Sequence, residues 1–312
     1  MFSIEVIIDA ITFSNLIIAL AIGLTLTYMT LKVPNFAHGD TAVIGIYTAY
    51  TLTIMLGIHP YASMPIAFLL GGALSIITYI LVYRVIGQKG GSITTLMIAS
   101  IAVEVIIRSS LHIYADIMPK ITSTFFRGFT FSKYDFSISI GEATLPGVLI
   151  VSTLTITGIV VSLYLFLTRT KFGTAMRATI ENPSLASTLG VDVEKVYLVS
   201  WFLAGGLAAL SGIFLAFQIP SDPESGWGLL LRVFAASVLG GLDNIFGAVL
   251  GGAVIGFSEI LGIYLLSKPP IGLSPAYRPA IPYLMFILVL LFAPKGITSI
   301  NLKKLIGGEE KK

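Results

Sequence analysis

Runs of about 20 apolar residues recur along the whole chain, which is the length an α-helix needs to cross the hydrocarbon core of a bilayer. Segments 9–31, 62–83, 147–168 and 196–217 are strong candidates, each bounded by polar residues, Pro or Gly. Segment 247–266 is apolar and rich in glycine. Four more are interrupted or short: 34–56, which opens with the polar run Asn35-Phe-Ala-His-Gly-Asp40, then 92–107, 229–241 and 279–293. Inside hydrocarbon every backbone N–H and C=O needs an internal partner, and runs of this length meet that need as helices. The expected fold is therefore an all-α polytopic membrane protein with about nine transmembrane or re-entrant helices, within a range of 8–10.

Composition agrees. Hydrophobic residues make up 55% and charged residues 11%, with a mean hydropathy of +0.93, whereas soluble domains carry about 25% charged residues. The net charge is only +3 and several of the charges lie in the tail 295–312, so nucleic acid is excluded as a main partner. With no cysteine there are no disulfides or thiolate metal sites. His59 and His112 are expected alone in loops without ligand-spaced companions, so neither a metal nor a cofactor is expected on this chain.

The first apolar run is too long for a cleaved signal segment and follows two acids with no Lys or Arg, so it is expected to stay in the mature protein. With the N-terminus outside and nine crossings, twelve of the 19 Lys and Arg residues collect on the cytoplasmic side: Lys32, Arg84, Lys89, Arg169, Lys171, Arg177, Lys195, Lys295, Lys303, Lys304, Lys311 and Lys312. This positive-inside bias predicts a multi-pass protein of the cell membrane whose transmembrane domain spans 1–294 and whose basic tail, 295–312, is cytoplasmic. If segment 229–241 failed to cross, the tail and its five lysines would move outside.

Residues 108–146 are expected as an extracellular loop. In it Phe129, Phe131, Phe136, Ile138 and Ile140 alternate with polar residues around the turn 132–135, which reads as a β-hairpin or as an irregular loop. The cytoplasmic stretch 169–195 holds a set of short-helix signals. Asn182 suits an N-cap, Pro183 the first helical position, Leu185, Ala186 and Leu189 an apolar face, and Gly190 the left-handed C′ site, after which Asp192 caps the next helix. So short a helix is marginal alone in water and needs something to pack on, either its own membrane domain or a cytoplasmic subunit.

Three blocks, Val33-Pro-Asn-Phe-Ala-His-Gly-Asp40, Met176-Arg-Ala-Thr-Ile-Glu-Asn-Pro-Ser-Leu-Ala-Ser-Thr-Leu-Gly-Val191 and Phe234-Ala-Ala-Ser-Val-Leu-Gly-Gly-Leu-Asp-Asn-Ile-Phe-Gly-Ala-Val-Leu-Gly-Gly252, occur in this order. Together they resemble the permease subunit of branched-chain amino acid ABC importers, the LivH/LivM type. The resemblance implies a chain that translocates branched-chain or other hydrophobic amino acids while a separate cytoplasmic ATP-binding subunit hydrolyses ATP. It also implies a second homologous permease, or another copy of this one, and an extracellular solute-binding protein. By the same resemblance Arg177, Asn182, Pro183, Leu185, Ala186, Leu189 and Gly190 belong to a coupling helix. The chain lacks the full Glu-Ala-Ala signature of the general ABC-permease loop, so only the mechanical role carries over. Related permeases carry sugars, amides or nucleosides.

Ionisable residues inside spans are functional candidates. Asn35, His38 and Asp40 read either as a cap at the inner interface, with Asn35 in water and His38 paired to Asp40, or as a broken helix lining a cavity. Glu104 has Arg108 four residues on, near the expected outer end of its helix. Glu259 is expected within reach of water near the outer end of its own. These residues and Asp40 are candidates for a translocation path, and in a rival reading they serve an ion-coupled secondary transporter. Asp222, Glu224 and Trp227 read as a solvated outer turn or as a contact for an external partner. The glycines at 240–241 and 251–252 are expected to pack helices closely. No Gly-x-x-x-x-Gly-Lys-Ser/Thr sequence exists, so the chain has no P-loop and is not expected to be an enzyme.

Overall fold

The fold is that of a computed structural model describing residues 3–140, 143–292 and 296–297. Its helices are α1 (Ile4–Leu31), α2 (His38–Leu56), α3 (Met64–Gln88), α4 (Ile93–Thr122), α5 (Gly147–Arg169), α6 (Lys171–Glu181), α7 (Pro183–Thr188), α8 (Val193–Gln218), α9 (Ser225–Gly240), α10 (Ile245–Leu266) and α11 (Ala280–Phe292). Of these, α1, α3, α4, α5, α8 and α10 are the 6 that are long and apolar enough to cross a membrane. The shorter α2, α9 and α11 also pack in the bundle, which is the expected all-α polytopic architecture, and the count of nine holds only approximately among the described residues. One end is basic. There Lys32 pairs with Asp243, Arg84 pairs with Glu194 at 3.1 Å, and α6 and α7 lie. Apart from Gly296 and Ile297, the tail 295–312 lies outside the described residues.

α1–α2–α3 and α8–α9–α10 run through the same events in opposite directions: a long helix, a non-helical stretch turning back into the body, a shorter helix, and a return. α1 packs on α10 as α8 packs on α3, and α1 and α8 meet each other at the centre. Polar side chains tie these contacts to neighbouring helices. The Ser211 hydroxyl donates to the Leu16 carbonyl at 2.7 Å, the Trp201 indole N–H to Thr30 Oγ1 at 3.2 Å, and the Asn15 amide to Ser152 and Thr153 at 3.1 and 2.9 Å. Bonds of this kind are worth about 1 kcal/mol each within a membrane.

Glycine sets the closest approaches. A Cβ on Gly45 would run into the Ala209 carbonyl, and one on Gly212 into the Ala42 carbonyl, so α2 and α8 touch backbone to backbone. Gly251 meets Ala236 and Gly240 meets Gly247 in the same way across α9 and α10.

Two expectations are corrected. α4 does not stop at residue 107 but continues to Thr122, so the loop begins after 122 rather than at 108. No glycine interrupts this helix, its one proline, Pro119, lies in the last turn, and Arg108, His112 and Asp116 share a face with partners across it. The hairpin exists, but at a shifted position. Strand β1 (Ser137–Ile140) pairs antiparallel with β2 (Ala143–Pro146), with Ile138 opposite Leu145, while Ser132–Tyr134 forms a 3-10 turn. Phe129 and Phe131 are buried anchors rather than hairpin residues: Phe129 stacks on Tyr50 with centroids 3.6 Å apart, and the Phe131 N–H donates to Ala216 at 2.7 Å. Aromatic rings bury more apolar area against α2 and α8 than they would in an exposed hairpin.

Replacing Gly45 by Ala should lower the thermal stability of the detergent-solubilised chain by about 1–3 kcal/mol, the usual cost of overpacking. Gly87→Ala, at a site where a Cβ meets nothing within 4 Å, should be neutral or stabilising in the same melting assay.

Candidate functional site

At the basic end α7 has the two caps its sequence requires. Asn182 Oδ1 accepts from the Leu185 N–H at 3.0 Å, and Pro183 occupies the first turn. Gly190 has φ +84, and the N–H groups of Gly190 and Val191 donate to Ser187 and Ala186, both at 3.0 Å. This pattern closes the helix with a left-handed residue at C′. The expected apolar face divides. Ala186 is buried, whereas Leu185 and Leu189 point away from the bundle and are exposed. Arg177, on α6, is exposed at the rim of a cavity of about 490 Å³ that it lines with Lys32, Glu181, Asp243 and Phe246. Beyond α7, Asp192 accepts from the Lys195 N–H at 3.1 Å, and that bond holds its carboxyl below the usual carboxylate range.

From the same end the chain re-enters the bundle. Residues 33–37 are not helical, and α2 begins at His38, whose Nε2 lies 3.0 Å from the Leu20 carbonyl. Leu20 is three turns, about 16 Å, from the end of α1. Asn35 Oδ1 accepts from the Ala37 N–H and from the Tyr83 hydroxyl, both at 3.1 Å. The interfacial cap with a His38–Asp40 pair is therefore overturned. Asn35, His38 and Asp40 are all buried, and Asp40 pairs with Arg108 of α4 at 3.3 Å. Non-helical backbone at this depth is stable because protein surrounds it. From the opposite end residues 219–224 are also non-helical, though Ile219, Pro220 and Glu224 are exposed, and Gly226 at the start of α9 lies against Gly39 and Asp40.

Arg108 is the hub where these segments meet. It pairs with Glu104 as expected, and also with Asp40 and, at 3.8 Å, with Glu224, while its guanidinium stands 5.0 Å from the Trp227 ring centroid. The Glu104–Arg108 pair lies midway along α4, not near its end. His112 is helical rather than alone in a loop; its Nε2 is 2.8 Å from Glu224, and Arg127 links its ring to Asp116. Sequence reasoning did not assign Arg108, Glu224 and Trp227 to one site. The available signal was the recurrence of Glu104, Arg108, His112 and Asp116 every four residues, which places them on one helical face.

Glu259 forms a second centre. Water does not reach it: it is 0% exposed and is held by Arg232 Nε at 2.8 Å and Arg278 Nε at 2.7 Å. Arg278 also lies 4.3 Å from the Phe13 ring centroid, so one carboxylate ties α9, α10 and the turn before α11 to α1.

The sequence family described as branched-chain amino acid transport system, permease component, matches residues 6–290. A probable branched-chain amino acid transport permease protein LivH of Methanocaldococcus jannaschii is 42% identical over 95% of this chain and 92% of its own length. The high-affinity branched-chain amino acid transport system permease protein BraD of Pseudomonas aeruginosa is 28% identical over 93% of this chain and 94% of its own. LivH of Escherichia coli is 25% identical over 93% of each chain. No solved structure matches significantly. A polytopic helical bundle in which nearly every residue falls within that match belongs to the family of permease components of branched-chain amino acid transport systems.

Proposed function

We propose that this chain is the membrane-spanning subunit of an ATP-driven importer of branched-chain amino acids, driven by a separate ATP-binding subunit docked on α7. The observation that carries the docking site is a short, doubly capped helix with two leucines, Leu185 and Leu189, exposed beyond the bundle. Ala186 seats the helix on the bundle, so the leucines are left for a partner. A push on α7 passes through α6 to α5 and α8, which pack against α6, and α8 in turn carries α2 and α3. In this reading the basic end and the tail face the cytoplasm, and the hairpin faces outward, where a solute-binding protein delivers cargo. A second permease, homologous or identical, completes the pore. The ion-coupled alternative is disfavoured because Asp40, Glu104 and Glu259 are each already paired with arginine.

The purified chain should hydrolyse no ATP and should co-purify with an ATP-binding subunit; hydrolysis by the isolated chain, with contaminants excluded by mass spectrometry, would refute the assignment. In this cysteine-free chain Ser184→Cys should resist an impermeant thiol reagent in intact cells and react in inverted vesicles. Gly190→Val should abolish substrate-stimulated ATP hydrolysis by the assembled transporter while the bundle stays folded. A Cβ at Gly190 would meet nothing within 4 Å, so the cost expected is that of the left-handed backbone, about 1–2 kcal/mol. Gly57→Val, with φ +67 and equally open surroundings at the opposite end, carries matched strain and should leave coupling intact.

A further inference from the structure

Charged and aromatic side chains stand exposed beside the middle of α4, a helix long and apolar enough to cross a membrane. Arg108 lies halfway along the 30-residue α4, about 22 Å from either end. Beside it the Glu224 side chain is 56% exposed and Trp227, in the first turn of α9, is 57% exposed. A carboxylate at that depth is costly against lipid, so this groove between α4 and α9 faces water or protein. It is also short of positive charge. Asp40, Glu104 and Glu224 all depend on Arg108, and the buried oxygens of Asp40 accept no hydrogen bond. Arg127, the next cation along the ladder, pairs with Asp116. His112 bonds to Glu224 and fixes its position. An accessible carboxylate next to an aromatic face is the chemistry that recognises an ammonium group. Leu231, one turn further along α9, is exposed too and extends the groove with apolar surface.

We propose that the α4–α9 groove is a binding station for a zwitterionic amino acid, with Glu224 as counter-ion to its α-ammonium, Trp227 flanking that group, and Leu231 against an apolar side chain. The inference rests on the reading of the chain as an amino acid permease, and the test separates the two.

With no native cysteine, Leu231→Cys gives the full-length chain a single reporter at the groove. In nanodiscs, an impermeant maleimide should label it, and L-leucine should slow the labelling. Leucinol, which keeps the ammonium and lacks the carboxylate, should also protect, while 4-methylpentanoate, which lacks the ammonium, should not. Adding Glu224→Gln should raise the leucine concentration for half-protection by about tenfold or more, the usual worth of a charge-assisted hydrogen bond. Trp227→Ala should weaken protection and Trp227→Phe largely retain it, which covers the case in which the Glu224 variant misfolds. Absence of labelling, protection by 4-methylpentanoate equal to that by leucinol, or protection by sodium ions alone overturns the station. Leucine uptake by the assembled wild-type transporter is scored separately. Uptake without protection refutes the station and leaves the permease reading intact, whereas absence of uptake refutes the cargo.

Discussion

Burying non-helical backbone at membrane depth is the constraint on which the rest of this structure depends. Residues 33–37 leave the helical ladder inside the bundle, where no water would complete their hydrogen bonds. Their solution is to be surrounded by protein. The Asn35 side chain bonds to the backbone of its own turn, Tyr83 bonds to Asn35, and His38 reaches the free side of the Leu20 carbonyl. Providing that enclosure falls to α1 and α8. Each has 78% of its most apolar stretch buried, against 22% for α5, which makes them central pillars and α5 a peripheral helix. Glycines at 45 and 212 allow the pillar α8 to come close enough to exclude lipid.

The two charged centres answer a related problem in opposite ways. Around Glu259 one buried acid has two arginines, and the group is closed. Around Arg108 one arginine serves three acids, and one side of the group is open. α9 is bound to both, through Gly226 and Trp227 at its start and Arg232 a little beyond. Removing one partner from a buried ion pair costs about 3–5 kcal/mol. Any rearrangement of the bundle is therefore expected to keep the Glu259 centre whole and to move α9 together with α10, leaving the exposed edge at Glu224 as the place where contacts change at low cost.

Much of this could be read in the chain itself. Apolar run length gave the spans, and Asn182, Pro183 and Gly190 gave both ends of α7, because caps depend on local backbone chemistry. The polar run from Asn35 to Asp40 marked a broken helix as one of two readings. Pairings between distant segments were not legible. His38 with Leu20, Asp40 with Arg108, and Glu259 with Arg232 and Arg278 join residues whose proximity no local pattern encodes. Nor was the length of α4 legible beyond residue 107, because Arg108 and His112 are held there by partners on other segments, and a charge with such a partner does not end a helix.

By itself, then, the sequence determined the solvent and the secondary structure. A chain with 11% charged residues and long apolar runs can satisfy its backbone in a bilayer only as helices, and its caps and glycines fix where several of them begin and end. Only the tertiary structure decided which polar residues are structural and which are available to a ligand. Whether a carboxylate is enclosed and neutralised, as Glu259 is by two arginines, or left half-exposed, as Glu224 is while sharing Arg108 with two other acids, depends on how many arginines other segments bring to within about 4 Å of it. That distance is set by packing between helices far apart in the chain.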